Sequence, residues 1–134
     1  MEFETMLNMN SILISSQQAD KLAEYYGRVL QKKPEWQDDK IGFTGYLAGS
    51  CFISIGPHDK VNGKSANPER IMLNFESKDV EADFERIKTL NGTGIVQEPY
   101  HPGGDEKYTM ATLSDPDGNF FQLVTPWDES TKPE

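Results

Sequence analysis

The chain has a single cysteine, Cys51, only two histidines, His58 and His101, and no long apolar run. One cysteine cannot close an intrachain disulfide or build a CxxC metal knuckle. No stretch approaches the ~20 apolar residues that cross a bilayer. The opening MEFETMLN is acidic and lacks the apolar core of a signal peptide. A reducing, cytoplasmic setting with no membrane partner is the expectation. Basic charge is also scarce: 13 Lys and Arg stand against 22 Asp and Glu, a net charge of −9. Such a surface repels phosphate backbones, so nucleic acid is not an expected partner. P-loop, dinucleotide-binding glycine and Ser-His-Asp patterns are missing as well.

What remains is 134 residues with 36% hydrophobic and 10% aromatic content, enough for one folded domain. Ser11-Ile-Leu-Ile-Ser15 alternates like a strand. Ala19, Leu22, Ala23, Tyr26, Val29 and Leu30 follow at helical spacing, with Ser15 or Ser16 as a candidate cap and Pro34 past the end. Ile41 to Tyr46 and Cys51 to Ile55 read as strands joined by Ala48-Gly-Ser50, with polar Gln37 to Lys40 before them. After a turn-rich stretch the order recurs. Ile71, Leu73 and Phe75 alternate, and Val80, Phe84, Ile87 and Leu90 mark a second helix behind Ser77 as its cap. Gly94 to Val96, Tyr108 to Leu113 and Phe120 to Val124 supply further strands.

The chain therefore divides into a first unit over about 9–57, a linker over 58–68, a second unit over 69–127 and a frayed tail over 128–134. A shift of 59 lays Ser11-Ile-Leu-Ile on Arg70-Ile-Met-Leu, a shift of 61 superposes the helices, and a shift of 68 superposes the last strands. Two βαβββ units in an α+β fold are the economical reading.

Asp115-Pro-Asp-Gly118, between Leu113 and Phe120-Phe121, has the chemistry of a tight hairpin: proline presets the first central position and glycine takes the left-handed one. In the longer string Leu113-Ser-Asp-Pro-Asp-Gly-Asn-Phe-Phe-Gln-Leu-Val124, at the end of a second βαβββ unit, the chain resembles the vicinal oxygen chelate superfamily. That superfamily includes glyoxalase I, bleomycin-resistance proteins, fosfomycin-resistance enzymes and extradiol dioxygenases. Leu22 to Leu30 resembles its first helix, and the likeness covers about residues 9–127.

The resemblance implies a curved, U-shaped mixed sheet with helices on its outer face, and a homodimer. It also implies a divalent ion held by histidines on the first strands and glutamates on the last strands of the two units. The matching positions here are Ser11, Ser54, Arg70 and Gln122. None supplies an imidazole or a carboxylate, and a guanidinium cannot donate a lone pair. The expectation is therefore no metal and no other cofactor, with a divalent ion as the lesser reading. His58 and His101 both adjoin proline and read as exposed loop residues, with a place at the mouth of a pocket as the functional alternative.

Alternation assigns Ile12, Ile14, Ile53, Ile55, Ile71, Leu73, Phe75, Phe121 and Leu123 to the faces beneath the helices. The opposite faces carry a mixed set, and Ser11, Phe52, Ser54, Arg70, Met72, Asn74, Phe120 and Gln122 are the candidate ligand-binding residues. Arg70 is the candidate anion anchor. Cys51 reads as a core residue, and Trp36 and Trp127 as cleft edges or ordinary rim positions. Three functions stay open. The chain is a metal-free protein that binds a small molecule such as a drug or metabolite. Alternatively it is a glyoxalase-like lyase, isomerase or group transferase with an unorthodox metal or none, in which His58 or His101 would matter for turnover. Third, it is an interaction module whose face is closed by dimerisation.

Overall fold

A computed structural model describes residues 6–127 of the chain. Eight strands and two helices run in the order β1 (Ser11–Ser15), α1 (Ala19–Leu30), β2 (Trp36–Asp38), β3 (Phe43–Ala48), β4 (Cys51–Gly56), β5 (Leu73–Glu76), α2 (Val80–Ile87), β6 (Gly94–Tyr100), β7 (Met110–Ser114) and β8 (Phe120–Val124). They form two compact units that meet in sequence between Gly63 and Lys64. Each unit is one helix on one four-stranded mixed sheet, the α+β architecture read from the sequence.

In the first sheet the strand order is β1-β4-β3-β2, with β1 parallel to β4 and the other pairs antiparallel. Leu22, Tyr25, Tyr26 and Val29 of α1 are buried, as are Tyr46, Ile53 and Ile55 of the sheet. The Tyr46 hydroxyl donates to the Ala23 carbonyl at 2.7 Å, so a strand is tied to the helix above it. That approach needs Gly27: a Cβ there would lie 2.6 Å from the Tyr46 oxygen. Burial pushes the Tyr46 pKa above its usual 10.0, with the Glu24 and Glu35 charges adding to the rise.

The second sheet repeats the pattern as β5-β8-β7-β6. Val80, Phe84 and Ile87 of α2 are buried, with Ala111, Leu113, Phe121 and Leu123 beneath. Phe75 meets Phe121 edge-on, with ring centroids 5.9 Å apart. β6 runs on to Tyr100, beyond the expected Val96. It is an edge strand, where Pro99 is tolerated without a donor, and its register slips between Gln97 and Tyr100.

The Asp115 hairpin forms as its residues dictate. Gly118 takes φ +78°, and the buried Asp115 carboxylate accepts from the backbone N–H groups of Asp117 (2.9 Å) and Asn119 (3.0 Å) and from the Asn119 side chain. The helix caps differ from expectation. Asp79, not Ser77, caps α2 by accepting from the Ala82 N–H, while Ser77 donates to the Asp83 carboxylate at 2.5 Å. Before α1, the Ser16 hydroxyl accepts from the Gln18 N–H at 3.0 Å, which makes a turn ahead of the helix rather than a cap. Leu90 lies past the end of α2.

Two corrections bear on function. Arg70 and Ile71 are not on a strand. Asn67 to Arg70 form a turn after Pro68, closed by the Arg70 N–H on the Asn67 carbonyl, and β5 pairs with β8 only from Leu73 onward. Ile71 is accordingly 78% exposed instead of buried beneath a helix. The first strands are related by 61 residues, not 59. β1 and β5 end at Ser15 and Glu76, and the helices begin at Ala19 and Val80, so strand and helix share one shift. The expected tail, 128–134, lies outside the described residues. No helix among the described residues is long and apolar enough to cross a membrane.

Candidate functional site

Pairing fixes which side chains share the face of each sheet that points away from its helix. In the first sheet one row across the strands is Leu13, Ser54, Gly45 and Trp36, and the next is Ser11, Phe52 and Leu47. Asp38 stands two residues along from Trp36, opposite Phe43. In the second sheet the central row is Asn74, Gln122, Thr112 and Gln97.

The face of the first sheet is aromatic, and glycine makes it so. A Cβ on Gly45 would lie 2.5 Å from two carbons of the Phe52 ring and 3.6 Å from the six-membered ring of Trp36. A Cβ on Gly56 would likewise meet three carbons of the Phe43 ring at 2.6 Å. Both phenyl rings therefore rest against bare backbone, where a side chain would otherwise hold them off. Glycine thus leaves both rings room over the strands and keeps this face of the sheet aromatic. Phe43 and Phe52 are half-buried, and Trp36 is 45% exposed at the sheet's edge.

The edge is braced beside the rings. Lys32 pairs with Glu35, the Lys32 ammonium donates to the Leu47 carbonyl, and Glu35 accepts the Leu47 N–H, the last two at 2.7 Å. The Lys32 hydrogen bond, followed by that of Leu47, holds the Glu35 carboxyl below its ordinary 4.5. Cys51 is half-buried at the start of β4, on the opposite side from Phe52.

The face of the second sheet is a file of amides and a hydroxyl. Gln122 donates to the Thr112 hydroxyl at 3.0 Å, which fixes its amide, while Asn74 is exposed beside it. Phe120 and Met72 are half-buried, Met72 directly before β5 rather than within it.

Of the eight candidate residues, Ser11, Phe52 and Ser54 share the open face of the first sheet, and Asn74, Phe120 and Gln122 that of the second. Met72 precedes its strand, and Arg70 lies exposed in the turn, so neither holds a strand position on that face. Phe43 and the two glycines beneath the rings were missed, and Trp36 was read as a cleft-edge or rim position without its ring neighbours. The signal available was a glycine inside each of two apolar strands, FTGYLA and CFISIG, with an aromatic residue on the neighbouring strand.

The register also changes the comparison with metal-binding relatives. Ser54 pairs with Leu13, and Gln122 with Asn74, so the equivalent rows are Leu13 with Ser54 and Asn74 with Gln122. A leucine, a hydroxyl and two neutral amides are not a donor set for a divalent transition ion, which takes imidazole, thiolate or carboxylate. No group of three or more His, Cys, Asp or Glu among the described residues is placed to hold one. His58 and His101 are exposed in loops. The His58 Nδ1 accepts the Lys60 N–H, and the His101 Nδ1 lies 3.1 Å from the Tyr108 carbonyl oxygen.

Residues 11–124 match the model of the glyoxalase-like domain. No curated protein matches the chain significantly. Among solved structures, a glyoxalase-related enzyme from Fulvimarina pelagi superposes with a TM-score of 0.71 at 14% identity, over 95% of this chain and 96% of the other. A glyoxalase/bleomycin resistance protein/dioxygenase family enzyme from Burkholderia phytofirmans PsJN gives 0.68 at 17% identity, over 89% and 98%. The fosfomycin resistance protein FosX from Listeria monocytogenes gives 0.66 at 15% identity, over 97% and 100%. At these identities the likeness establishes the fold and not a substrate. With the family model spanning nearly all of both units, the chain belongs to the glyoxalase-like domain family of the vicinal oxygen chelate superfamily.

Proposed function

We propose that this protein binds a planar small molecule without a metal, using the aromatic face of its first sheet. The observation that carries the proposal is the pair of phenyl rings, Phe43 and Phe52, occupying the space that side chains at Gly56 and Gly45 would take. A strand glycine weakens a sheet, so two of them beneath two rings favour a face kept aromatic for a ligand over one built for stability alone. Burying about 150 Å² of ring surface at ~25 cal/mol per Å² supplies about 4 kcal/mol, enough for roughly millimolar affinity once hydrogen bonds offset the cost of ordering, and each further hydrogen bond to the ligand tightens it. The amide file of the second sheet, Asn74 and Gln122, supports a separate set of neutral hydrogen bonds to a ligand. The open strand positions carry no histidine or cysteine among the described residues, which favours binding over histidine- or thiol-dependent turnover. One structural neighbour is named a fosfomycin resistance protein and another a glyoxalase/bleomycin resistance protein/dioxygenase family enzyme, and sequestration of a drug or metabolite is the role proposed for this chain.

A thermal-shift screen of planar aromatic compounds, run in the presence of chelator, tests it. Hits should stabilise the wild type, lose most of their effect in Phe52→Ala and keep part of it in Phe52→Leu. Hits unaffected by either substitution would place binding elsewhere and refute the proposal.

A further inference from the structure

The open faces are one-sided in charge. The strand positions facing away from the helices carry carboxylates at Asp38 and Glu76, and no lysine or arginine at any position among the described residues. Arg70, the cation the sequence placed on such a face, lies in the Asn67–Arg70 turn instead. Lys32, beside the aromatic edge, is committed to Glu35 and the Leu47 carbonyl.

From this we infer that the aromatic face of the first sheet selects a planar organic cation, with Asp38 as its counter-charge. The inference rests on the binding reading above and adds the charge of the ligand. Trp36 and Phe52 converge over Gly45, and a cation held against such rings is attracted by their negative π-faces. Asp38 is on the same face as Trp36, two residues farther along β2, which places its Cα about 7 Å from that of Trp36. That spacing is the breadth of a fused two-ring system, so a ring seated on Phe52 and Trp36 brings a cationic edge to the carboxylate. One Asp38 oxygen accepts the Lys40 N–H at 3.0 Å, which orients the carboxylate and leaves it capacity to accept another donor. The net charge of −9 steers cations toward the protein and anions away from it. An anion on the first sheet's face would meet Asp38 with no lysine or arginine at a strand position of that sheet.

Three probes of nearly the same shape separate the possibilities: N-methylquinolinium, neutral quinoline and 2-naphthoate, titrated at pH 7.5 and low salt with binding read by calorimetry. The expected order is quinolinium at least tenfold tighter than quinoline, and naphthoate weakest. In Asp38→Asn the quinolinium preference should fall to about threefold, the part the ring faces alone supply, while quinoline affinity stays the same. Phe52→Leu should weaken quinolinium and quinoline together. Quinoline and quinolinium binding equally, or a preference undiminished in Asp38→Asn, would overturn the charge inference and leave the aromatic face standing. Binding of no probe, or binding indifferent to Phe52→Leu, would overturn the binding reading and this inference with it.

Discussion

Replacing the helical Gly27 with alanine should destabilise this protein, although the same change in most helices stabilises by up to ~1 kcal/mol. The added Cβ would lie 2.6 Å from the Tyr46 hydroxyl oxygen and 3.3 Å from the ring carbon bearing it. Tyr46 is 3% exposed and its hydroxyl is bonded to the Ala23 carbonyl, so the ring cannot swing into solvent. Overpacking costs about 1–3 kcal/mol and a strained or lost buried hydrogen bond about 1 kcal/mol, against the helix gain of about 1. The net expectation is a loss of about 2 kcal/mol. Tyr46→Phe alone should cost about 1 kcal/mol, because the hydroxyl that fills the space is removed together with its bond. In that background Gly27→Ala should become near neutral, giving a coupling of about 2 kcal/mol between two residues in contact. Tyr46 also sets an alkaline signature. Its raised pKa contributes stability that is complete below the ordinary value of 10.0 and lost as pH rises through it, and Tyr46→Phe should lack that loss. Urea unfolding of the four proteins of the cycle measures all of this. Gly27→Ala that stabilises the wild type, or that costs the same in both backgrounds, would refute the reasoning.

Asp115→Ala strips a buried carboxylate from the N–H groups of Asp117 and Asn119 and should cost about 2–4 kcal/mol, whereas Asp115→Asn, which keeps one acceptor oxygen, should cost less by urea unfolding. Glu35→Gln should be mildly destabilising at neutral pH. Because the folded pKa is held below 4.5, the difference from wild type should be fully present above that value and fade as pH falls below it in melts run from pH 7 to pH 3. Gly45→Ala should push the Phe52 ring off the backbone and weaken aromatic ligands about tenfold in calorimetric titration, while circular dichroism remains that of the wild type.

The repeated order of strand, helix and strands was legible because its signals are local. The apolar stripe of α1, the Asp115-Pro-Asp-Gly118 turn and the alternation in β4 and β8 each require only a few neighbouring residues. The edges were harder. Trp36 to Asp38 pairs as a strand although Gln37 and Asp38 are polar, because an edge strand needs only one partner and an exposed face. Arg70 and Ile71 continue the alternation of Leu73 and Phe75 in sequence, but pairing decides where a strand begins, and in this register they would face Gly118 and Asn119, which belong to the hairpin ahead of β8. That error carried an arginine onto a face that holds no basic residue. The aromatic surface was half visible: Phe52 stood among the candidates, whereas the rings' resting place on Gly45 and Gly56 depends on cross-strand neighbours that only the register reveals.

Calorimetric titration of one planar hit into chelator-treated protein, repeated with Zn, Ni, Mn or Fe and repeated on Gln122→Ala and Phe52→Ala, tests the central claim most directly. Metal-free binding through the aromatic face predicts the same affinity with and without each ion and a large loss in Phe52→Ala. Binding that requires a stoichiometric divalent ion, and disappears with that ion in Gln122→Ala, would contradict it.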